Sequence, residues 1–121
     1  MNIYGNNYNT SDGTGIRDYI HINDLIIGHI KALEFISRKK GFNTWNLGSG
    51  KGYSVLEVIR TFENLSGKKI PYRFVSKRDG DIAEYWADIS KAKNELDWSC
   101  KSGLDDMIKD TLNYINHTAN N

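Results

Sequence analysis

The segment DYIHINDLIIGHIKAL, residues 18–33, changes its hydrophobic period partway along, and this change decides the fold class. Residues 18–22 alternate between apolar and polar side chains, which is typical of a short strand. Asn23 or Asp24 is then suited to cap a helix. The predicted helix presents an apolar face made by Leu25, Ile26, Ile30 and Leu33. A strand that leads directly into an amphipathic helix favours a protein that mixes both kinds of element.

The rest of the chain continues this mixture. Residues 43–47 (NTWNL) predict a strand, and residues 48–52 (GSGKG) a glycine-rich turn. Ser54 and Glu57 form a capping box for a helix that Gly67 should end. A further strand is predicted at residues 70–75, and further helices are predicted at residues 88–96 and 102–115, while residues 3–5 are compatible with the end of a strand. We therefore expect an α/β (mixed α+β) fold in which residues 1–121 form a single unit.

Composition excludes several functional classes. Sixteen Lys and Arg residues against fifteen Asp and Glu residues give a net charge of +1, which argues against a nucleic-acid-binding protein. No apolar run approaches the roughly 20 residues that span a bilayer, so we expect no membrane partner. The one cysteine, Cys100, allows no internal disulfide, which makes a cytoplasmic location the default expectation.

Several motifs suggest sites that their spacing does not support. The 48–52 turn is neither a dinucleotide fingerprint, because Tyr53 stands where glycine is needed, nor a P-loop, because Gly52 follows its lysine. No metal site is expected, because the cluster of candidate ligands at His21, Asp24 and His29 matches no established spacing. Cys100 has no activating neighbour in sequence, so we expect an inert thiol.

Two arginines in loops are candidates for binding a diphosphate. Arg17 follows the loop DGTG, and Arg78 lies in the loop KRDGD at residues 77–81. The rigid guanidinium fork matches phosphate oxygens, and two forks from distant loops are suited to grip a diphosphate. The competing interpretation is that both are solvated surface charges.

The chain resembles the UDP-glucose 4-epimerase family of extended short-chain dehydrogenases/reductases. The resemblance rests on five segments in matching order and spacing, and it corresponds to the C-terminal third of those enzymes. The segments are IYGN (3–6), DGTGIRDYIHI (12–22), NLGSG (46–50), RDGD (78–81) and YWAD (85–88). Members of the family interconvert UDP-glucose and UDP-galactose by transient oxidation of the sugar, using bound NAD and a Tyr/Lys pair.

The resemblance implies a role for each of five residues in binding a UDP-sugar. Arg17 and Arg78 match the arginines that hold the diphosphate, and Asp81 matches the acidic residue that bonds the uridine ribose. Tyr4 stands where an aromatic side chain lies near the uracil. Tyr85 matches the position that limits bulk beside the hexose.

The family's catalytic apparatus has no counterpart in this sequence. The glycine-rich NAD loop belongs to an N-terminal NAD-binding domain that is absent from the chain, and no tyrosine is followed four positions later by lysine. We therefore assign no catalytic and no cofactor-binding residues. NAD is expected for the full-length family but not for this chain, which we expect to be inactive alone.

Three interpretations of the chain remain open. The leading one is the C-terminal substrate-binding part of a UDP-glucose 4-epimerase, which functions in galactose metabolism. The second is a non-catalytic interaction or structural remnant. The third is a fragment of a related UDP-N-acetylhexosamine or UDP-uronate epimerase. In the family, the helix after residue 22 lies against the NAD domain, so we expect self-association, or pairing with a chain that contains a Rossmann domain.

Overall fold

A computed structural model describes residues 1–119 and shows five short strands and four helices in that part of the chain. The strands lie before, between and after the first two helices, and the last two helices close the chain. The elements are β1 (Asn2–Tyr4), β2 (Ile16–Asp18), α1 (Ile22–Arg38), β3 (Gly52–Ser54), α2 (Val55–Ser66), β4 (Arg73–Val75), β5 (Glu84–Tyr85), α3 (Ser90–Leu96) and α4 (Leu104–Ala119). The predicted mixed α/β class is confirmed.

Two small sheets position the loops. Strands β1 and β4 pair in parallel, with Tyr4 opposite Val75. Strand β2 lies at the centre of the second sheet, antiparallel to β3 and parallel to β5. In the β2–β5 register Arg17 lies opposite Tyr85. Arg17 and Tyr85, almost 70 positions apart in sequence, therefore lie side by side on adjacent strands.

Helix α2 begins and ends as its sequence predicts. The Ser54 hydroxyl accepts a hydrogen bond from the Glu57 amide at 3.0 Å, and the Glu57 carboxylate accepts one from the Ser54 amide at 3.1 Å. These reciprocal bonds complete the capping box. At the other end, Gly67 adopts a left-handed conformation with φ of 68°. Helix α2 packs on α4, and the buried residues between these helices and the strands include Ile3, Leu56, Ile59, Tyr53, Leu104 and Ile108.

The first strand and helix differ from the prediction in their boundaries. Strand β2 covers Ile16–Asp18 rather than residues 18–22, because its pairing partners β3 and β5 lie beside the earlier residues. Helix α1 is capped neither by Asn23 nor by Asp24. His21 is the cap, and its Nδ1 accepts a hydrogen bond from the Asn23 amide at 3.1 Å.

One predicted strand is absent from the described residues, and the predicted bounds of β4, α3 and α4 also differ from those observed, with α4 covering Leu104–Ala119 instead of residues 102–115. Residues 43–47 form no strand, because no strand among the described residues lies beside them to complete a ladder. Strand β4 begins at Arg73 rather than at residue 70, since its pairing with β1 covers only three residues. Helix α3 begins at Ser90, although the Asp88 carboxylate still accepts a hydrogen bond from the Ser90 amide at 2.9 Å.

Helix α1 leaves a wide apolar face exposed. Gly28 and Asp24 are buried against the rest of the molecule, while the opposite side of the helix faces outward. The exposed apolar side chains are Ile22, Ile26, Ile27, Ile30, Leu33 and Ile36. Within residues 1–119 no helix has the length and apolar character needed to cross a bilayer.

Candidate functional site

The structure brings the five residues assigned to UDP-sugar binding into one region. Tyr4 ends β1, Arg17 is the middle residue of β2, and Tyr85 ends β5. Arg78 and Asp81 lie in the connection between β4 and β5. The β1–β4 and β2–β5 pairings carry these loops to the same edge of the molecule.

Asp81 joins the two arginines. Its carboxylate accepts hydrogen bonds from Arg78 Nε at 2.9 Å and Arg78 Nη2 at 3.3 Å, and Arg17 Nη2 lies 3.6 Å from its Oδ1. The hydrogen bonds from Arg78 hold the pKa of the Asp81 carboxyl below its usual range, and the positive charges of Arg78 and Arg17 act in the same direction. Two guanidinium groups thus share one carboxylate. The cluster has an excess of positive charge, which suits an anionic ligand.

A tight turn presents Arg78 and Asp81 side by side. The Asp81 amide donates to the Arg78 carbonyl at 3.2 Å, which closes the turn across residues 78–81. Gly80 sits in the turn with φ of 81°, a conformation that glycine adopts without the strain imposed by a Cβ atom. The glycine of the RDGD motif therefore allows the tight turn that brings the side chains of Arg78 and Asp81 together.

An aromatic ring lies beneath one of the arginines. Arg78 Cζ is 4.8 Å from the centre of the Tyr4 ring. This stacking is a cation–π contact, and it restricts the guanidinium to one side of the cluster. Tyr4 remains partly exposed, so one part of its ring is accessible to a planar ligand group.

The cluster includes two residues that the sequence analysis did not assign. Lys77 Nζ lies 4.1 Å from the centre of the Tyr8 ring and donates to the Asn7 carbonyl at 3.3 Å. Lys77 and Asn7 are 70 positions apart, and no local pattern signals such a pairing. The contact holds the loop after β1 against the loop that carries Arg78 and Asp81.

The carboxylate of Asp18 organises the glycine-rich turn at residues 48–52. The Asp18 carboxylate accepts hydrogen bonds from the Ser49 amide at 2.8 Å, the Gly50 amide at 3.3 Å and the Ala87 amide at 3.0 Å. Burial, the largest single influence, acts to raise the Asp18 pKa, but these hydrogen bonds outweigh it and lower the pKa overall. The Ser49 and Gly50 amides are thus engaged by Asp18, and the Lys51 amide donates to the Ser49 hydroxyl at 3.2 Å.

The three residues considered as metal ligands have separate roles. His21 Nε2 lies 3.2 Å from Asp110 Oδ2, and His29 Nδ1 lies 2.8 Å from the Leu25 carbonyl of its own helix. Asp24 accepts hydrogen bonds from the amides of residues 101 and 102, at 3.2 and 2.9 Å. Within residues 1–119 no three potential metal ligands converge.

Cys100 is held as a neutral thiol. Its Sγ donates to Asp24 Oδ2 at 3.2 Å. Burial, together with this hydrogen bond and the charge of Asp24, raises the pKa of the Cys100 thiol to about 11. A thiol with so high a pKa is a poor nucleophile at neutral pH, so the expectation of an inert cysteine is supported.

A cavity of about 560 Å³ opens beside Tyr85. Its wall also includes Asp18, Gly48 and the indole ring of Trp86, together with residues from the 45–47 segment. Tyr85 is 65% exposed, so its ring projects from the end of β5. The cavity is of the size that small-ligand sites occupy.

A protein family and curated proteins of known name match almost the whole of this chain. A family model described as GDP-mannose 4,6 dehydratase matches residues 1–111. The chain is 50% identical over 120 residues to the UDP-glucose 4-epimerase of Bacillus subtilis (strain 168), which covers 99% of this chain and 35% of that protein. The chain therefore spans about a third of the length of the curated relatives it matches.

Two solved structures match the fold closely. One is a UDP-glucose 4-epimerase from Stenotrophomonas maltophila with bound NAD and formylated UDP-arabinopyranose, with a TM-score of 0.93 and 43% identity over 99% of this chain and 36% of that one. The other is the enzyme from Bifidobacterium longum in complex with NAD⁺ and UDP, with a TM-score of 0.90 and 47% identity over 98% of this chain and 35% of that one. The predicted resemblance to UDP-glucose 4-epimerases is confirmed, and the chain belongs to the family described as GDP-mannose 4,6 dehydratase.

Proposed function

We propose that this chain is the UDP-sugar-binding part of a UDP-glucose 4-epimerase, an isomerase that interconverts UDP-glucose and UDP-galactose. The observation that carries the proposal is the Arg17–Asp81–Arg78 cluster, in which two guanidinium groups meet at one carboxylate. The epimerase relatives support the class of reaction, and the Bifidobacterium longum protein was solved with UDP.

In this proposal the two arginines hold the diphosphate. Their planar forks come from separate strands and loops, so they can approach a diphosphate from two directions. Asp81, placed between them, accepts a hydrogen bond from a ribose hydroxyl. The uracil lies against the exposed part of the Tyr4 ring, beside the stacked guanidinium of Arg78.

Tyr85 forms a wall beside the sugar. The β2–β5 register places it next to Arg17, so a hexose linked to a diphosphate held at Arg17 comes within reach of the Tyr85 ring. Tyr85 also borders a cavity of about 560 Å³, whose wall includes Asp18, Gly48 and Trp86. This arrangement favours UDP-glucose and UDP-galactose over sugars with a larger substituent.

The chain does not provide for the redox step. NAD would supply the hydride acceptor, but in the one glycine-rich turn that resembles a nucleotide loop the Ser49 and Gly50 amides donate to Asp18. The sequence also contains no Tyr-x-x-x-Lys pair to move the proton. We therefore propose that the 121-residue chain binds a UDP-sugar but does not turn it over, and we assign no step to NAD on these residues.

The exposed face of α1 is proposed to contact a partner. Six apolar side chains on one helix are a large apolar surface for a protein of this size. Pairing with a polypeptide that carries a Rossmann domain would cover this face and bring the acid/base and hydride chemistry to the bound sugar. Self-association is the alternative in the absence of such a partner. The unpaired Cys100 fits a cytoplasmic location.

Calorimetric titration with UDP tests the binding proposal. Arg17→Ala and Arg78→Ala should each weaken UDP binding by about ten- to a hundredfold, because each removes hydrogen bonds between charged groups. Arg73→Ala is the matched control, since Arg73 is an exposed arginine on β4 that pairs with Asn2. Absence of UDP binding by the unaltered chain, or equal binding by all three variants, would contradict the proposal.

A separate assay tests the absence of turnover. The pure chain with NAD and UDP-galactose should give no UDP-glucose above a blank without protein. Addition of a Rossmann-containing half from a relative should restore conversion. Conversion by the chain alone would show that these 121 residues hold the catalytic groups after all.

A further inference from the structure

The hydroxyl group of Tyr8 is buried beside the arginine cluster without a hydrogen bond. Tyr8 is 8% exposed, and its hydroxyl has no hydrogen-bond partner of normal geometry among the described residues. A buried polar group in this position costs stability, since it has lost water and gained no partner. We therefore ask whether the Tyr8 hydroxyl gains a hydrogen-bond partner when the protein binds a ligand.

The Tyr8 hydroxyl interacts with the carboxylate of Asp81. The Tyr8 hydroxyl approaches the Asp81 carboxylate closely enough to contribute to the lowering of its pKa, after the larger effects of Arg78 and Arg17. Both oxygens of Asp81 are already engaged, Oδ2 by Arg78 Nε and Oδ1 by nitrogens of Arg78 and Arg17. In the described structure Arg78 and Arg17 are the partners of Asp81. The Tyr8 hydroxyl makes no hydrogen bond of normal geometry.

A diphosphate ligand changes this balance. Its oxygens compete with Asp81 for the same guanidinium N–H groups, because a carboxylate and a phosphate both fit the fork. As the arginines turn toward the ligand, the Asp81 carboxylate loses its hydrogen-bond donors. An ionised carboxylate left without donors in a partly buried site is unfavourable.

We propose that Tyr8 is a positioning residue that donates its hydroxyl hydrogen to Asp81 when a diphosphate draws Arg17 and Arg78 away. The exchange keeps the Asp81 carboxylate in place, with its second oxygen available to the ribose. This inference rests on the proposed function of the arginine cluster, and it assigns a role to a residue outside the five assigned above.

Lys77 holds the Tyr8 side chain in position for this exchange of hydrogen bonds. Its ammonium group lies 4.1 Å from the centre of the Tyr8 ring, and its bond to the Asn7 carbonyl holds the loop that carries Tyr8. A cation on the ring face restricts the ring to one orientation and makes the phenol a stronger hydrogen-bond donor. The side chains of Tyr8 and Lys77 both pack over Gly5, where a Cβ atom would lie 2.6 Å from Tyr8 Cε2 and 2.7 Å from Lys77 Cγ.

The test is a double-mutant cycle on the full 121-residue chain. Binding of UDP and of inorganic pyrophosphate is measured by calorimetry for the unaltered chain, Tyr8→Phe, Asp81→Asn and the double variant. Tyr8→Phe should weaken binding of both probes by about tenfold, the value of one hydrogen bond to a charged group. The same change in the Asp81→Asn background should have little effect, because the charged acceptor is gone. Tyr114→Phe, at a 70% exposed tyrosine on α4, is the control.

Thermal unfolding without ligand separates a positioning role from a structural one. Tyr8→Phe should change the melting temperature little, because the hydroxyl makes no hydrogen bond of normal geometry in the described structure and its effect on the Asp81 pKa is smaller than that of Arg78 and Arg17. A fall in ligand-free stability together with unchanged ligand affinity would overturn the inference.

The remaining outcomes separate this inference from the proposed function. Tight UDP binding that Arg17→Ala abolishes and Tyr8→Phe does not alter would overturn the role of Tyr8 while leaving the UDP site intact. No UDP binding by the unaltered chain would overturn both. If Tyr8→Phe weakened ligand binding equally in the unaltered chain and in the Asp81→Asn variant, the hydroxyl would not act through Asp81.

Discussion

Asp18 and Ser49, 31 positions apart in sequence, are joined by hydrogen bonds from both the amide and the hydroxyl of the serine to one carboxylate oxygen. The other oxygen of Asp18 accepts from the Gly50 and Ala87 amides. One side chain at the end of β2 therefore fixes the glycine-rich turn before β3 and the segment after β5. Since β2 also carries Arg17 and β5 carries Tyr85, Asp18 supports the geometry of the candidate site as well as the fold.

Asp18→Asn should destabilise the protein. The amide side chain keeps the size of the carboxylate but loses its charge, and its NH2 group faces backbone amides that can only donate. We expect the free energy of unfolding in urea to fall by about 2 kcal/mol, in the range for hydrogen bonds to a charged group. Asp79→Asn, at an exposed loop position, should change it by less than about 0.5 kcal/mol. Equal effects of the two substitutions would contradict the role of Asp18.

Acid should destabilise the protein through its hydrogen-bonded carboxylates. The pKa values of Asp12, Asp18 and Asp24 are lowered in the folded chain because hydrogen bonds outweigh the opposing effect of burial. A folded-state pKa below the unfolded value gives stability that is present above the unfolded pKa, near 4, and is lost as the pH falls through the folded pKa. Urea midpoints should therefore be level near neutral pH and drop below about pH 4. In Asp18→Asn the drop should be smaller, and an unchanged drop would show that Asp18 does not contribute to it.

Cys100 should react slowly with thiol reagents. With its pKa raised to about 11 by burial and by Asp24, the thiolate fraction at pH 8 is about a hundredfold below that of a thiol with the ordinary value. The alkylation rate by iodoacetamide, followed by mass spectrometry, should keep rising above pH 10. The control is the same chain unfolded in urea, which should react at the ordinary rate. Equal rates in the folded and unfolded chain would show that the thiol is not protected.

Association of the chain should depend on the exposed face of α1. Leu33 is 63% exposed, so Leu33→Lys removes apolar surface without opening a cavity. Sedimentation equilibrium should show weaker self-association, or weaker pairing with a Rossmann-containing half, for this variant. Tyr114→Lys removes an equally exposed apolar side chain from α4 and should have no such effect. A monomer at high concentration for the unaltered chain, with no partner bound, would contradict an interface on α1.

The accuracy of the sequence predictions depended on how local their causes are. The start of α2 was predictable because Ser54 and Glu57 are three residues apart and satisfy each other. Residues 43–47 have the composition of a strand, but a strand exists only with a neighbour, and the described residues supply none. The His21 cap was missed because histidine is an uncommon cap and Asn23 and Asp24 are common ones.

The site could be predicted in part for the same reason. Arg78 and Asp81 form a local turn motif, and the family resemblance linked them with Tyr4, Arg17 and Tyr85. The chemistry of the guanidinium group identified Arg17 and Arg78 as candidate diphosphate ligands. It did not predict that both would contact one carboxylate. Their meeting depends on the parallel pairing of β2 with β5, which no local pattern specifies. The Tyr8–Lys77 contact is of the same long-range kind, and only the folded chain reveals it.

Tyr85 should set the size of the sugar that the assembled enzyme accepts. Its ring projects from the end of β5 next to Arg17 and borders the cavity of about 560 Å³. A rigid wall rejects a larger ligand by overlap, which discriminates more strongly than the loss of one favourable contact. Tyr85→Ser should therefore raise kcat/KM for UDP-N-acetylgalactosamine by at least about tenfold while leaving the value for UDP-galactose within about threefold.

The measurement uses residues 1–121 joined to the Rossmann half of a relative, so that the chemistry is present and only the wall changes. UDP affinity should stay unchanged in Tyr85→Ser, because the proposed nucleotide contacts come from Arg17, Arg78 and Asp81, whose mutual ion pairs do not involve the ring. Tyr114→Ser is the matched control, since it removes a similarly exposed ring from α4, far along the chain from β5. If the unaltered graft already used both sugars equally, Tyr85 would be an aromatic anchor of the loop rather than a wall. If Tyr85→Ser weakened UDP binding as much as it widened sugar use, the ring would position the nucleotide, and the limit on sugar size would lie elsewhere in the cavity.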